Sequence, residues 1–448
     1  MQDIHKNLGT EPINKLIWQQ SIPSIIGLVF MSLYNVIDTI FIGQTVGSLG
    51  IAGLAISFPI MGIYGAIAVM LGMGSASIIS RALGANDKNK AGKILGNFFS
   101  MVVLFSFALT VGGIIFLEPL LHAFGSSDII LPYAYEYAKI IILGIFFFIF
   151  SIASADIIRA QGNARYAMFT MIVPMIINIV LDYLFIIVWN WGLTGAAMAT
   201  VIGQGIGALM AIIYFMTPFN SIKIHIHDFV LKLKYVKEIF IIGSSSFFRA
   251  VVKVGTMIIF NHSLLFYGGD IAIAAFGILA KVMMFTLMPM VGFIHGLQPV
   301  LGYNYGAKKF KRAKESIINA IIKVTAYSLI IFIPLVIFPE YLVSIFTDEK
   351  DLIELSSTII TITFIMLPII GFQHIASGIY QTMGKPKMAI FLSLLRSVIL
   401  LIPLVLILPK FFGLYGIFMA YPIADVLGSF INGYFLRKEF KLLEGMEK

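Results

Sequence analysis

Apolar residues run through this chain in twelve stretches separated by short polar connections, each long enough to cross a bilayer as a helix of about 20 residues. They fall near residues 16–42, 51–79, 95–117, 133–157, 166–189 and 195–216, and then near 239–265, 271–300, 317–338, 355–380, 388–408 and 414–435. The runs are continuous rather than alternating, so they read as helices and not as strands of a closed barrel, the other structure that satisfies its own backbone in lipid. The pattern predicts an all-α integral membrane protein with twelve transmembrane helices.

Shifted by 222 residues, the pattern overlays itself. Gly84-Ala85 falls on Gly306-Ala307, each pair followed by a basic run, and Ile115-Phe116, Glu118, Leu120 and Phe124 fall on Ile337-Phe338, Glu340, Leu342 and Phe346. Gly162 and Ala167 fall on Gly384 and Ala389. After a one-residue slip, Gly192-Leu193, Gly195, Met198-Ala199 and Gly207 fall on Gly413-Leu414, Gly416, Met419-Ala420 and Gly428. The matches cluster at equivalent turns, which identities forced by an apolar composition would not do. Two copies of one unit therefore sit in tandem, expected as an amino-terminal lobe (1–219), an interfacial linker (220–237) and a carboxyl-terminal lobe (238–448). Six helices per copy return the chain to its starting side, so the copies are parallel repeats about an axis along the membrane normal, an arrangement suited to two lobes rocking around a shared cavity.

Composition agrees: 59% of residues are hydrophobic, 12% are charged and the mean hydropathy is +0.97, far from soluble-domain averages. The amino end, the even-numbered connections and the tail hold 23 of the 31 lysines and arginines, against only Lys350 and Lys410 on the opposite connections. Both termini are expected in the cytoplasm, with the chain in the plasma (inner) membrane. The net charge of +9 is explained by that topology and by anionic lipid, without a nucleic-acid partner. Zero cysteines exclude disulfide and thiol chemistry. The first apolar run is full span length and belongs to the repeat, so it is not read as a cleavable signal. The seven histidines show no HExxH or other ligand spacing, and there is no Walker A sequence or nucleophile–base pair; neither a metal centre nor an enzyme is indicated.

An Asp at the centre of a membrane helix costs on the order of 3 kcal/mol even on the mildest scale, so each one needs a reason. Asp38 lies in LYNVIDTIFIG, with Tyr34 one turn earlier; Asp182 lies in NIVLDYLFI, with Asn178 one turn earlier; the sixth helix offers Thr200 and Gln204. Residues four apart share a helix face, so three helices are able to present carboxylate, amide and hydroxyl groups to one point. Either these groups hydrogen-bond the bundle together or they bind a coupling ion, H⁺ or Na⁺. The second copy has Phe260 in place of Asp38, Tyr421 in place of Thr200, and Leu404 or Pro403 in place of Asp182. That one-sidedness favours a cation site in the amino-terminal lobe. Arg249, Lys253, Lys281, Arg396 and Asp425 of the second copy either pair, snorkel or line a basic cavity. Asp156, three residues before Arg159, reads as a local ion pair. Pro23 weakens one turn of the first helix, and the 22 Met and 39 Phe suit an adaptable greasy cavity.

YNVIDTIFIGQ in the first helix, NIVLDYLFI in the fifth, GLQPVLGYNYGAKKFKRAK after the eighth and QTMGKPK after the tenth resemble the multidrug and toxic compound extrusion (MATE) transporters, over essentially the whole chain. The resemblance implies cation-coupled export of small amphipathic, often cationic compounds by alternating access, with no cofactor beyond the coupling ion. It implies that Asp38, Asn178, Asp182 and Thr200 form the cation site, with Tyr34 beside it and Pro23 as the bending proline. Asn35, Gln204, Arg249, Lys281 and Gln298 are read with these two as cavity or gating residues. No acid occurs between Glu238 and Asp270, where the NorM-type branch carries a Glu; the chain leans toward the DinF-like branch and lacks that support for a carboxyl-lobe cation site. A monomer is expected. A flippase for a polyprenyl-linked or other anionic lipid is the rival reading, since basic residues of the second copy suit a phosphate; an ion channel is a weaker one.

Overall fold

The computed structural model describes residues 4–447; the side chains of Ile4, Asn35, Val36, Thr39, Gln44, Ser48, Val254, Ile258 and Asp270 lie outside that description. The described residues form helices and their connections, without strands. Helices α1 (Ile13–Thr45), α2 (Ser48–Gly84) and α3 (Lys88–Ile115) lead the first copy. There follow α4, in two segments (Leu131–Leu143 and Ile145–Ala160), α5 (Ala164–Val188) and α6 (Gly192–Met216). The second copy comprises α7 (Leu233–Gly269), α8 (Ile271–Gly306), α9 (Phe310–Ile337), α10, again in two segments (Lys350–Phe364 and Leu367–Thr382), α11 (Pro386–Ile407) and α12 (Pro409–Gly445). With each two-segment helix taken as one span, the twelve expected spans are all present.

The local backbone repeats along with the sequence. Gly47, between α1 and α2, and Gly269, between α7 and α8, both take left-handed φ values, +78° and +63°, a region glycine enters without steric cost. The same holds for Asn86 and Lys308, Gly162 and Gly384, and Gly192 and Gly413, each pair one repeat apart. Two features depart from the unbroken spans expected: α4 bends by 58° at Gly144 and α10 by 56° at residues 365–366, again one repeat apart (366 − 144 = 222). At Gly144 a Cβ would run into Val201, so the bend brings α4 hard against α6.

Each lobe has its own apolar core, and the two cores trade ends. Leu8, Ile13, Leu16 and Ile17, at the start of the chain, pack in the core of the second copy. Ile239 and Ile242, at the start of α7, pack in the core of the first. The seam between lobes is closed at the end carrying the basic connections. There a Cβ on Gly84 would meet the Tyr303 carbonyl oxygen, one on Gly306 the Arg81 carbonyl oxygen, and one on Gly302 the Ser80 side chain. Hydrogen bonds add to the closure: Ser77 Oγ donates to Gln381 O at 2.8 Å, Asn304 Nδ2 to Leu8 O at 2.9 Å and Lys309 Nζ to Gly9 O at 2.8 Å. Toward the other end no hydrogen bond or ion pair joins the lobes among the described residues, and Phe58, Ile63, Met257 and Phe285 are exposed. The lobes form a V, closed at the basic end.

Ser80 and Gly302 are equivalent positions (302 − 80 = 222) in contact across the seam, and the chain has no native cysteine. A Ser80→Cys/Gly302→Cys variant with a protease site placed in the linker should therefore keep its two lobes in one band after cleavage, without reductant, and release them when reductant is added. Release without reductant would contradict the closed end.

Candidate functional site

Three helices of the amino-terminal lobe converge on one polar cluster. Helix α1 carries Tyr34 and Asp38 on one face and runs without interruption through Pro23, which lies four turns from Asp38, about 22 Å along the axis. The Tyr34 hydroxyl lies 3.3 Å from Thr200 Oγ1 on α6. Asn178 and Asp182 share a face of α5; a Cβ on Gly203 would press on Asn178 Cβ and the Pro174 carbonyl, so glycine there lets α6 lie close to α5. Just past Asp182 the helix changes to π hydrogen bonding over Tyr183–Val188, a local unwinding frequent at functional sites.

Asp38, Asn178, Asp182 and Thr200 are all buried. The two carboxyls are close enough for their charges to act on one another. Asp38 Oδ1, both oxygens of Asp182 and both amide atoms of Asn178 have no hydrogen-bond partner among the described residues. Buried polar groups are almost always satisfied, so unsatisfied ones call for an explanation. A bundle held together by these residues would show the bonds between them. This cluster instead leaves several of its acceptor oxygens unpartnered.

The sequence-based set is brought together in part. Gln204, one turn beyond Thr200, is half-buried and makes no hydrogen bond to the cluster among the described residues. The side chain of Asn35 lies outside the described residues. Tyr137 of α4 was missed: it is fully buried, and its hydroxyl faces Met61 Sδ of α2 at 4.0 Å. At the equivalent place in the second copy, Phe260 (for Asp38) and Tyr421 (for Thr200) pack ring on ring, 5.2 Å between centroids, with Phe276 stacked on Phe260 at 5.7 Å. Aromatic rings fill the space that carboxyls surround in the first copy.

The basic residues of the second copy are largely engaged. Arg249 donates to Ser377 Oγ at 2.9 Å and Ser246 Oγ at 3.0 Å; Arg396 Nε donates to Asp425 Oδ1 at 2.5 Å. Lys281 is exposed, with its ammonium 5.9 Å from the centre of the Phe346 ring in the α9–α10 connection, the reach of a snorkelling lysine. Gln298 does not line an open cavity: it is fully buried on α8, with neither amide atom hydrogen-bonded among the described residues. Asp156 and Arg159 form the expected ion pair, and a third partner arrives from the other lobe, His295 of α8, whose Nδ1 lies 3.4 Å from Asp156 Oδ1.

The sequence profile of the MatE family matches the chain twice, over residues 23–184 and 246–407, one match per copy. The multidrug export protein MepA of Staphylococcus aureus is 27% identical over 444 residues, 97% of this chain and 97% of that protein. A solved structure of the MATE multidrug transporter DinF-BH superposes with a TM-score of 0.90 at 42% identity, over 96% of each chain. An outward-facing MATE family transporter of the MOP superfamily superposes with a TM-score of 0.93 at 22% identity, over 99% of each chain; at that identity the likeness is one of fold.

The two kinds of buried acid should respond oppositely to substitution. Asp182→Asn keeps the shape and gives up no hydrogen bond, so its thermal midpoint in detergent should equal or exceed the parent's. Asp425→Ala strands the half-buried Arg396 and should cost about 3 kcal/mol or more, read as a lower midpoint in the same scan.

Proposed function

Because the chain belongs to the MatE family of transporters, we propose that it is a secondary active multidrug exporter, exchanging an inward-moving H⁺ or Na⁺ for small amphipathic, cationic compounds by alternating access. The observation that carries the coupling site is the set of three buried carboxylate oxygens, one on Asp38 and two on Asp182, without hydrogen-bond partners among the described residues. With the V open to the outside, the cluster takes up its ion there. Neutralising Asp38 and Asp182 removes the charge that holds a cationic substrate and alters the packing of α1, so the substrate leaves. With the V open to the cytoplasm, the ion departs and a new cationic substrate competes for the freed carboxylates.

The hydroxyls of Tyr34 and Thr200 stand beside the acids, bonded to each other, and Asn178 supplies an amide oxygen to Na⁺ or a hydrogen bond to a protonated acid. The concentration gradient of the coupling ion drives a one-for-one exchange with a monovalent cation; the membrane potential, about 2.3 kcal/mol per elementary charge per 100 mV, adds to it when more positive charge enters than leaves. In this reading the chain works as a monomer in the plasma (inner) membrane, with both termini and the closed, basic end of the V in the cytoplasm. The names of the relatives, a multidrug export protein and a multidrug transporter, support export of drug-like compounds. Of the basic residues that suit a lipid phosphate, Arg396 is neutralised by Asp425, which removes one of the charges the flippase reading calls on.

Purified protein in proteoliposomes, with proton and sodium gradients clamped independently, tests this directly. Uphill movement of a cationic dye such as ethidium should require one of the two gradients, and Asp38→Asn and Asp182→Asn should each reduce it to passive leak. Arg249→Gln and Lys281→Gln should leave it largely intact. Full uphill transport by the Asp38→Asn/Asp182→Asn double variant would end the coupling assignment.

A further inference from the structure

The connection between the lobes carries a side-chain cluster that transport does not use. Its sequence reads Lys223-Ile224-His225-Ile226-His227-Asp228, and a short 3₁₀ turn covers Ile226–Phe229. His225 is extended (φ −109°, ψ 153°), and the two imidazoles lie stacked, 5.2 Å apart and 19° from parallel. Both are well exposed, at 63% and 66%, whereas the Asp228 carboxyl beneath them is 2% exposed. His225 Nδ1 stands 3.4 Å from Asp228 Oδ2, and His227 Nε2 stands 3.3 Å from Asp228 Oδ1.

The carboxyl is held rigidly. Oδ2 accepts the His225 backbone N–H at 2.9 Å, closing a cap on the turn. The Asp228 carbonyl accepts from Asn97 Nδ2 at 3.1 Å, and Ser100 Oγ donates to Phe229 O at 2.5 Å, tying the turn to α3. A Cβ on Gly96 would collide with Asp228 itself, so the glycine lets the turn sit directly on the helix. Oδ1, by contrast, is buried without a hydrogen-bond partner among the described residues and points at His227. A buried carboxylate oxygen left free beneath two solvent-facing imidazoles is a polar arrangement short of one component.

We infer that His225, His227 and Asp228 form a site for a divalent transition-metal ion of the kind imidazole prefers, such as Zn²⁺, Co²⁺ or Ni²⁺. One ligand atom from each residue lies within 4.8 Å of the others. Ligands about 2.0–2.1 Å from a tetrahedral ion stand about 3.3–3.4 Å from one another; each imidazole lies that far from one carboxylate oxygen, His225 from Oδ2 and His227 from Oδ1, so the rings must close in on a shared oxygen. Two nitrogens and one carboxylate oxygen leave a fourth position open to water on the exposed side. Spacing rules keyed to α-helical motifs overlooked this set, because His225 is extended and His227 and Asp228 sit in the short 3₁₀ turn that follows it. The inference stands independently of the transport reading.

Zn²⁺ and Co²⁺ titrations of the full-length protein in detergent, purified through a tag without histidines, test it. One equivalent of Zn²⁺ should bind by calorimetry, and Co²⁺ should develop visible absorption that Zn²⁺ displaces. Asp228→Asn should weaken affinity by about tenfold or more, and His225→Ala/His227→Ala, which alters exposed rings only, should abolish the site; His122→Ala and His262→Ala should change nothing. Hydrogen exchange over residues 223–232 should slow on adding Zn²⁺ to the parent and not to the double alanine variant. Absence of saturable binding to the parent, binding unchanged in the double variant, or exchange that follows pH but not metal would each leave an ordinary histidine–aspartate ion pair and overturn the site.

Discussion

Close approach of backbone to backbone at one end of the V is the contact on which the rest of this molecule depends. In hydrocarbon there is no hydrophobic gain in joining two apolar surfaces, so helices hold together by fine packing and by the hydrogen bonds that close approach permits. Gly84 and Gly306 each admit the other lobe's main chain, and Ser80 and Gly302 touch between them. Equivalent positions in contact mark a twofold axis, so the seam itself places the repeat symmetry along the direction of the helices. Gly74 approaching Gly243 on α7 is matched by Gly296 approaching Ser21 on α1, the same contact seen from the other copy. A side chain at Gly84 or Gly306, where the opposing atoms are main chain, would hold the lobes apart.

On that symmetric frame the chemistry is one-sided. The same pocket is built twice: in the first copy it holds two carboxyls, an amide and hydroxyls without a full set of partners, and in the second it is packed solid with Phe260, Phe276 and Tyr421. In the second copy the buried Asp425 is paired with Arg396 through Oδ1, and Arg249 donates to hydroxyls. Duplication supplies the frame, and divergence leaves unpartnered carboxyls in one copy and packed rings in the other.

Most of the architecture was legible in the sequence because hydrocarbon leaves few choices: a run of apolar residues must be helix, and a polar turn must leave the membrane. The repeat was legible for a related reason, since turns such as Gly162 and Gly384 need backbone that other residues adopt poorly. The bends in α4 and α10 were not, because hydropathy has no direction; Gly144 and Pro368 were the available signals, the proline suited to the first turn of a new helix. Tyr137 was lost with the bend. Beside Tyr133 and Tyr135 it reads as one more interfacial aromatic, and only the packed helix shows it fully buried. Asp38 and Asp182 stood out because charge in lipid is costly, whereas the fate of Arg249 and Gln298 depends on where long or neutral side chains reach, and that is settled by packing.

The position of the seam also sets a mechanical advantage. Met70, whose carbonyl lies under Gly243, is near the last point at which α2 is gripped by the opposite lobe. From there to Ser48 the helix extends a further 22 residues (70 − 48), about 33 Å, packed on α4 of its own lobe. A tilt of about 10° around that grip sweeps the tip by about 6 Å over such a length, and two lobes tilting in opposite senses double the aperture. Small slippage among side chains near Ser80 and Gly302 is thus geared up into a gap wide enough for an aromatic molecule, which explains how a joint so tightly fitted is able to serve a wide mouth.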